Sequence, residues 1–287
     1  MDVCTTAPGP TSEPFPPPPR PGRPSQWRRR LTEDREQLPR FWPVIHNLVS
    51  QELKVRYQRS VLGFFWTLVN PLLMMMTLSW VFSNLFGEIS NYTIYLFAGM
   101  VPWGLLSGSI GECATCIIAN EGLIRKIYVP KLVFPISRLL INLVTTGLSM
   151  VSLFVLLGPL GARPSVAMIL LPLALALFAM FSLGLGLMVA TANTFYRDCG
   201  HLVGVFLQAW YFATPIIYRI ERFPESALWR FRLNPAYYFI ELFHDIIFAG
   251  RWPSLGHWLC ASLIATVSLG IGYAIFKSSE DKMVFRL

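Results

Sequence analysis

Glu241, His244 and Asp245 stand at i, i+3 and i+4, so a helix there carries all three on one face. Glu-x-x-His is a metal-binding pattern, but such sites draw further Glu and Glu-x-x-His ligands from other helices. The chain offers no matching set, so the expectation is salt bridging and hydration at an interface, with no metal. Cys113 and Cys116 form a C-x-x-C pair inside an apolar run. A redox or zinc pair needs an accessible site, so these read as small packing residues on one helix face. Lys54, Arg56 and Arg59 crowd a short basic stretch just before Ser60 to Gly87, which has no charged side chain. Cations so placed face the phosphates of a membrane surface. The chain has no Gly-x-x-x-x-Gly-Lys-Ser/Thr loop, so it is not expected to hydrolyse ATP by itself. Glu112 is the one carboxylate expected within an apolar run, near its lower end, and no series of acids and histidines suggests a proton relay.

The elements that position these groups follow from composition. With 54% hydrophobic and 14% charged residues, the 287-residue chain is far more apolar than a soluble domain. In lipid every backbone polar group needs an internal partner, and long uncharged runs select helices over a closed barrel. A net charge of +8 suggests nucleic acid in a soluble protein. Here most cations fall where a cytoplasmic membrane face puts them, so anionic lipid is expected and nucleic acid is not. Charge-free intervals place six spans at about 62–86, 93–117, 132–157, 166–193, 200–218 and 254–276. Lys and Arg are concentrated on the side holding both termini, which makes the N- and C-termini cytoplasmic. The fold class expected is an all-α integral membrane protein, its six transmembrane helices lying within 60–277 and a cytoplasmic tail following at 278–287.

Residues 1–40 are rich in proline and arginine and read as a disordered cytoplasmic tail, with no apolar stretch of a signal peptide. Residues 41–59 read as an amphipathic helix in the interface plane, with Ile45, Val49, Leu53 and Tyr57 repeating every four positions. On the second span Gly104, Gly108, Gly111 and Thr115 form a small-residue face that should meet another helix. Arg138, in the third span, is expected to snorkel to the interface. Residues 119–131, ANEGLIRKIYVPK, hold a short charged helix with Leu123, Ile124 and Ile127 on one side, which invites a protein partner. The last outer connection carries two apolar segments too short to cross, Phe223 to Phe231 and Pro235 to Ala249, which read as re-entrant or interfacial helices. Asn234-Pro235 is a helix start and Gly250 a helix stop. Trp103, Trp229, Tyr237, Tyr238, Trp252 and Trp258 suit an interfacial belt. Deeper aromatics, including Phe65, Trp66, Phe206, Trp210 and Tyr211, offer faces on which pyranose rings stack.

LKVRYQRSVLGFFWTLVNPLL (53–73), NEGLIRKIYVPKLVFPISRLL (120–140), FYRDCGHLV (195–203), TPIIY (214–218) and NPAYYFIELFHDIIFAG (234–250) together resemble ABC-2 type permeases that export polysaccharides. Within that family the sequence is most similar to O-antigen and teichoic-acid exporter permeases. The resemblance implies a homodimer in the bacterial inner membrane, two copies of a separate ATPase subunit holding ATP and Mg, and no cofactor on this chain. It implies a lipid-linked glycan as cargo, with Lys54, Arg56 and Arg59 attracting its pyrophosphate. It makes residues 119–131 a coupling helix, with Glu121, Leu123, Ile124, Arg125 and Lys126 as ATPase contacts, and sets the 41–57 helix near that ATPase. The short helices of 223–249 become outer gate helices, bearing Tyr237, Tyr238, Glu241 and His244. Tyr57, Phe65, Trp66, Asn70, Trp210 and Tyr211 become candidates for lining the conduit. The proline-rich tail departs from the family pattern. Two rivals share part of the reading: an exporter of small molecules or drugs, and a membrane glycosyltransferase acting on polyprenyl phosphate. The latter needs convergent loop carboxylates, which the chain does not offer.

Overall fold

The computed structural model describes residues 38–57, 66–83, 92–157, 165–220, 223–283 and 286. The tail of 1–37, and Arg59 and Phe65 among the candidate site residues, lie outside the described residues. All elements described are helical: α1 (Trp42–Tyr57), α2 (Trp66–Ser83), α3 (Tyr92–Ala119), α4 (Glu121–Lys126), α5 (Val133–Leu157), α6 (Leu171–Phe195), α7 (Cys199–Ala213), α8 (Glu225–Arg232), α9 (Pro235–Phe243) and α10 (Leu255–Met283). A 3-10 turn, Val166–Leu170, leads into α6, and a π-helical turn, His244–Phe248, extends α9.

Four helical stretches are long and apolar enough to cross a membrane: Tyr92–Ala119, Val133–Val155, Val166–Phe195 and Leu255–Met283. The first is the centre of the body, 72% buried over its apolar window, whereas the last is 28% buried and peripheral. Helix α3 packs against α5, α6, α7 and α9, and α6 packs against α10. Hydroxyls along these helices bond back one turn, as with Ser182 to the Phe178 carbonyl at 2.7 Å and Thr145 to that of Ile141 at 3.0 Å. Such back-bonding satisfies the hydroxyl without water, which lets serine and threonine sit in an apolar layer.

The small-residue face of α3 meets another helix at one point. Gly104 and Gly111 look onto open space, and only Gly108 meets a neighbour, Asn142 of α5. Backbone touches backbone instead between α6 and α10, where a Cβ on Gly272 would collide with Gly184 and one on Gly184 with Ser268. Two small residues across one seam remove the side chains that keep helices apart.

The fifth apolar interval also differs. Helix α7 stops at Ala213, and Thr214–Ile220 is irregular, because Pro215 has no N–H to continue the ladder. This segment is held from α3, where Tyr92 donates to the Ile217 carbonyl at 2.9 Å and Tyr95 to that of Tyr218 at 2.9 Å. Beyond it, the start and stop signals of the outer connection are realised. The Asn234 side chain accepts from Ala236 N–H at 3.1 Å, and Gly250 adopts φ 64°.

Helix α1 buries its apolar face in the protein rather than in lipid alone. Ile45 is 2% exposed within a cluster that includes Cys116, Ile117, Val133, Phe134, Leu187 and Phe276. Cys113 and Cys116 are both buried packing residues of α3.

Candidate functional site

An aromatic-walled cavity of about 670 Å³ opens between α3, α6, α7 and the short outer helices, lined by Phe206, Trp210, Tyr218, Phe231 and Asn234 among others. Trp210 is fixed at its edge. Its ring lies 5.4 Å from Phe206 and 5.7 Å from Trp103, and its indole N–H donates to Asn234 Oδ1 at 2.8 Å. Asn234 also donates through Nδ2 to Thr214 Oγ1 at 2.9 Å, so one side chain caps α9 and ties it to the end of α7. Of the conduit candidates, Trp210 lines this cavity, while Tyr211 packs on Trp103 at 5.7 Å. Trp66 is exposed on α2, Asn70 lies within α2, and Tyr57 closes α1. Sequence reading treated Asn234 as a helix start only, and did not single out Tyr218 and Phe231. Their lining role depends on the irregular segment folding back over α7.

On the opposite side, α4 follows α3 after Asn120, whose amide donates to the Cys116 carbonyl at 2.7 Å. Arg125 and Glu121 pair across one turn at 2.7 Å. Leu123 and Ile124 are half-buried against the lower core, and Arg125 and Lys126 are exposed. The largest apolar area presented outward belongs to Ile127 and Tyr128, 51% and 78% exposed. Tyr128 was not among the expected contacts. The loop after α4 is tied to the end of α10, with Lys131 N–H donating to Glu280 Oε1 at 3.4 Å and Lys277 pairing with Glu280 at 2.7 Å. Burial holds the Lys131 amine below its usual range, although Glu280 and Asp281 oppose that shift.

Arg56 of the basic stretch is exposed but tethered to α3. Its guanidinium donates to Glu112 Oε1 at 3.0 Å, and Asn142 of α5 donates to Glu112 Oε2 at 3.0 Å. One turn earlier Glu52 pairs with Arg138 at 3.0 Å, so α1 holds the guanidinium of Arg138. Two charge contacts thus rivet α1 to α3 and α5. Lys54 is exposed.

At the other end of α3, Glu241, His244 and Asp245 do share a region. His244 Nδ1 stands 3.8 Å from Glu241 Oε2, and Asp245 pairs with Arg251 at 2.7 Å. Burial acts to raise the Glu241 pKa, but His244, with His257 and Arg251 farther off, holds it below the usual carboxylate range. For Asp245 burial prevails over Arg251 and pushes the carboxyl up. Tyr237 is buried on α9, and Tyr238 bonds the Arg232 carbonyl at 2.9 Å. Among the described residues, no three His, Cys, Asp or Glu side chains converge as metal ligands.

Residues 44–248, from α1 to the π turn, match the ABC-2 type transporter family. The chain belongs to that family. The ABC-2 chain is 29% identical over 249 residues to the O-antigen export system permease protein RfbA of Myxococcus xanthus, covering 86% of this chain and 96% of that one. It is 31% identical over 209 residues to an RfbA of Klebsiella pneumoniae, covering 71% and 79%. To the polysialic acid transport protein KpsM of Escherichia coli it is 23% identical over 252 residues, covering 84% and 95%. As an ABC-2 permease with several apolar spans, the chain is a multi-pass membrane protein and the membrane part of an ABC transporter, working with a partner ATPase. The matched region includes the aromatic cavity, α4 and the riveted α1 of this ABC-2 permease, and ends just short of Gly250.

Proposed function

We propose that this chain is the permease subunit of an exporter that moves a lipid-linked polysaccharide outward across the bacterial inner membrane. The observation that carries the reading is the aromatic-walled cavity of about 670 Å³, in a chain whose relatives are named for export of O-antigen and transport of polysialic acid. Aromatic faces hold pyranose rings by their apolar sides and offer few strong hydrogen bonds, which suits passage better than capture. The four long helices are joined by α2 and α7 to make six spans. At 1.5 Å per residue, the 18 residues of α2 and the 15 of α7 reach about 27 and 22 Å, the latter lengthened by Thr214–Tyr218. Helices α8 and α9 stay on the outer side as gate helices, and both termini are cytoplasmic.

Two copies form the conduit, and two ATPase subunits, which hold ATP and Mg, dock on the cytoplasmic face. Their contact is α4 with Arg125 and Lys126, extended by Ile127 and Tyr128. A push on α4 reaches α3 through Asn120 and α10 through Glu280. Because Glu112 ties α1 to α3 and α5, the basic surface of α1 moves with them. Lys54, Arg56 and Arg59 draw the pyrophosphate of the cargo to that surface.

The test is a deletion strain scored for surface polysaccharide and for intracellular lipid-linked glycan. Loss at the surface with accumulation inside, rescued by the gene only beside an intact companion ATPase, is the expected result. Unchanged glycan in both places would replace the reading with small-molecule export. Loss in both places would replace it with a biosynthetic enzyme.

A further inference from the structure

The polar side chains on the wall of the aromatic cavity are committed to the protein, with one exception. Asn234 accepts from the Trp210 indole at 2.8 Å and from Ala236 N–H at 3.1 Å. It donates to Thr214 Oγ1 at 2.9 Å and to the Ala213 carbonyl at 3.2 Å, which uses its whole amide. The Tyr218 hydroxyl donates to the Phe212 carbonyl at 2.9 Å. The exception is Arg230, the one charged residue among the described residues that line the cavity. It is exposed on α8, with its guanidinium 5.7 Å from the Trp229 ring and no carboxylate partner among the described residues.

The shape of the cavity adds a second constraint. Along α7 its wall runs from Val203 to Ala213, about 15 Å of helix. A bilayer's hydrocarbon core is about 30 Å thick, so this is the depth of one leaflet. Asn234 and Arg230 belong to the Ala213 end, and hydrocarbon from Leu185, Val189 and Val203 closes the other. Phe206 and Leu233, 61% and 72% exposed, leave the side of the cavity open. Its volume of about 670 Å³ is in the range of pockets that enclose a small ligand.

These features select the occupant. A pyranose brings its hydroxyl groups to a wall with one uncommitted polar side chain, so rings pass here without resting. A cation is repelled by Arg230, and a neutral hydrocarbon gains nothing from it. A hydrocarbon chain that ends in a phosphate uses both parts, since the chain covers the apolar wall and the phosphate accepts from the guanidinium fork. A polyprenyl carrier presents one chain per phosphate, where a bilayer phospholipid presents two, and the wall offers one cavity to one guanidinium.

We infer that the aromatic cavity takes the hydrocarbon chain of the cargo's own lipid carrier, with the carrier's phosphate at Arg230. The inference rests on the export reading, in which carrier and glycan travel together and α8 lies on the outer side. The phosphate then meets Lys54, Arg56 and Arg59 on entry and Arg230 after crossing.

The test uses the full chain with its partner ATPase in phosphatidylcholine nanodiscs. The probe is a polyprenyl phosphate without sugar, bearing a diazirine at the end remote from the phosphate. Illumination should label the peptides of α6 or α7 that hold Leu185, Val189 or Val203. Half-labelling should need about tenfold more probe in Arg230→Gln, the loss of one charge-assisted contact. Polyprenol, which lacks the phosphate, should compete about tenfold less well than unlabelled polyprenyl phosphate in wild type and equally well in Arg230→Gln. Val203→Trp fills the inner end, leaves Arg230 in place and should abolish the labelling, so the result does not depend on one variant folding. Arg232→Gln, at the neighbouring arginine outside the lining, should leave it unchanged. Absence of label from those peptides, or equal half-labelling in wild type and Arg230→Gln, overturns the inference. Displacement by phosphatidylglycerol as effective as by polyprenyl phosphate also overturns it, by making the occupant a bilayer lipid. Because the probe carries no sugar, the export reading fails separately, on unchanged surface glycan in the deletion strain. Lost surface glycan in that strain without labelling of the wild type removes the lipid site alone.

Discussion

Breaking the contact between Arg56 and Glu112 tests whether Arg56 serves the fold or the cargo. At 3.0 Å and an effective dielectric of ~20, the gross attraction is about 5 kcal/mol. Their side chains are 34% and 28% exposed, so solvent screening and rotamer entropy cancel most of that. Exposed pairs contribute about 0.2–1 kcal/mol and breaking fully buried ones costs about 3–5, which puts the coupling here at about 1–2 kcal/mol. Arg56→Gln should therefore lower the apparent Tm of the detergent-solubilised protein by about 2–6 °C. Glu112→Gln should cost a similar amount, because the bond from Asn142 survives. The double variant should cost little more than either single one. The exchange Arg56→Glu with Glu112→Arg should recover both thermal stability and export. Fluorescence-detected size-exclusion chromatography after heating reads all four proteins. Strictly additive losses would refute the pair. Recovered stability without recovered export would show that Arg56 also acts on the cargo.

Three further outcomes follow from the same geometry. Asn234→Ala removes a helix cap and the acceptor of Trp210 together, and should destabilise by about 2–3 kcal/mol on the same thermal assay, with Asn234→Asp intermediate because it keeps both acceptor roles. Gly184→Ala or Gly272→Ala sets a Cβ against backbone and should eliminate monodisperse protein, whereas Gly104→Ala, facing open space, should stay within about 0.5 kcal/mol of wild type. Glu241 has a folded pKa below its ordinary 4.5, so its contribution to stability is present above that value and is lost as pH falls through the folded pKa. Melting temperature followed downward from pH 6 should therefore fall more steeply in wild type than in Glu241→Gln, and parallel curves would contradict the assignment.

The helices were legible because charge is scarce. Uncharged intervals placed α3, α5 and α6 within a few residues, and Asn234 and Gly250 marked the outer helix by local backbone chemistry alone. The apolar face of α1 was legible as a face, but hydrocarbon from lipid and from Phe134 or Ile117 rewards Ile45 alike, so its neighbour was not. Glycine spacing marked a face on α3 that meets α5 at Gly108, but a small residue permits close approach without naming the partner. The seam that closes runs through Gly184 and the Ser268-x-x-x-Gly272 pattern, which was there to be read. Glu241, His244 and Asp245 could be set on one helix face from spacing, whereas Arg219 and Arg251 reach the small cavity beside them from either side of the outer helices. No local period relates residues brought together by two turns of chain.

The Gly184–Gly272 contact has a use in measurement. Where two backbones touch, the helices already stand at their closest approach, so α6 and α10 are expected to move as one unit while other parts rearrange. Spin labels on the exposed residues Leu173 and Leu263 would then form an internal ruler. Distances from that ruler to labels on α1 and α4 would report which helices the ATPase displaces, free of any ambiguity about which part of the molecule stood still.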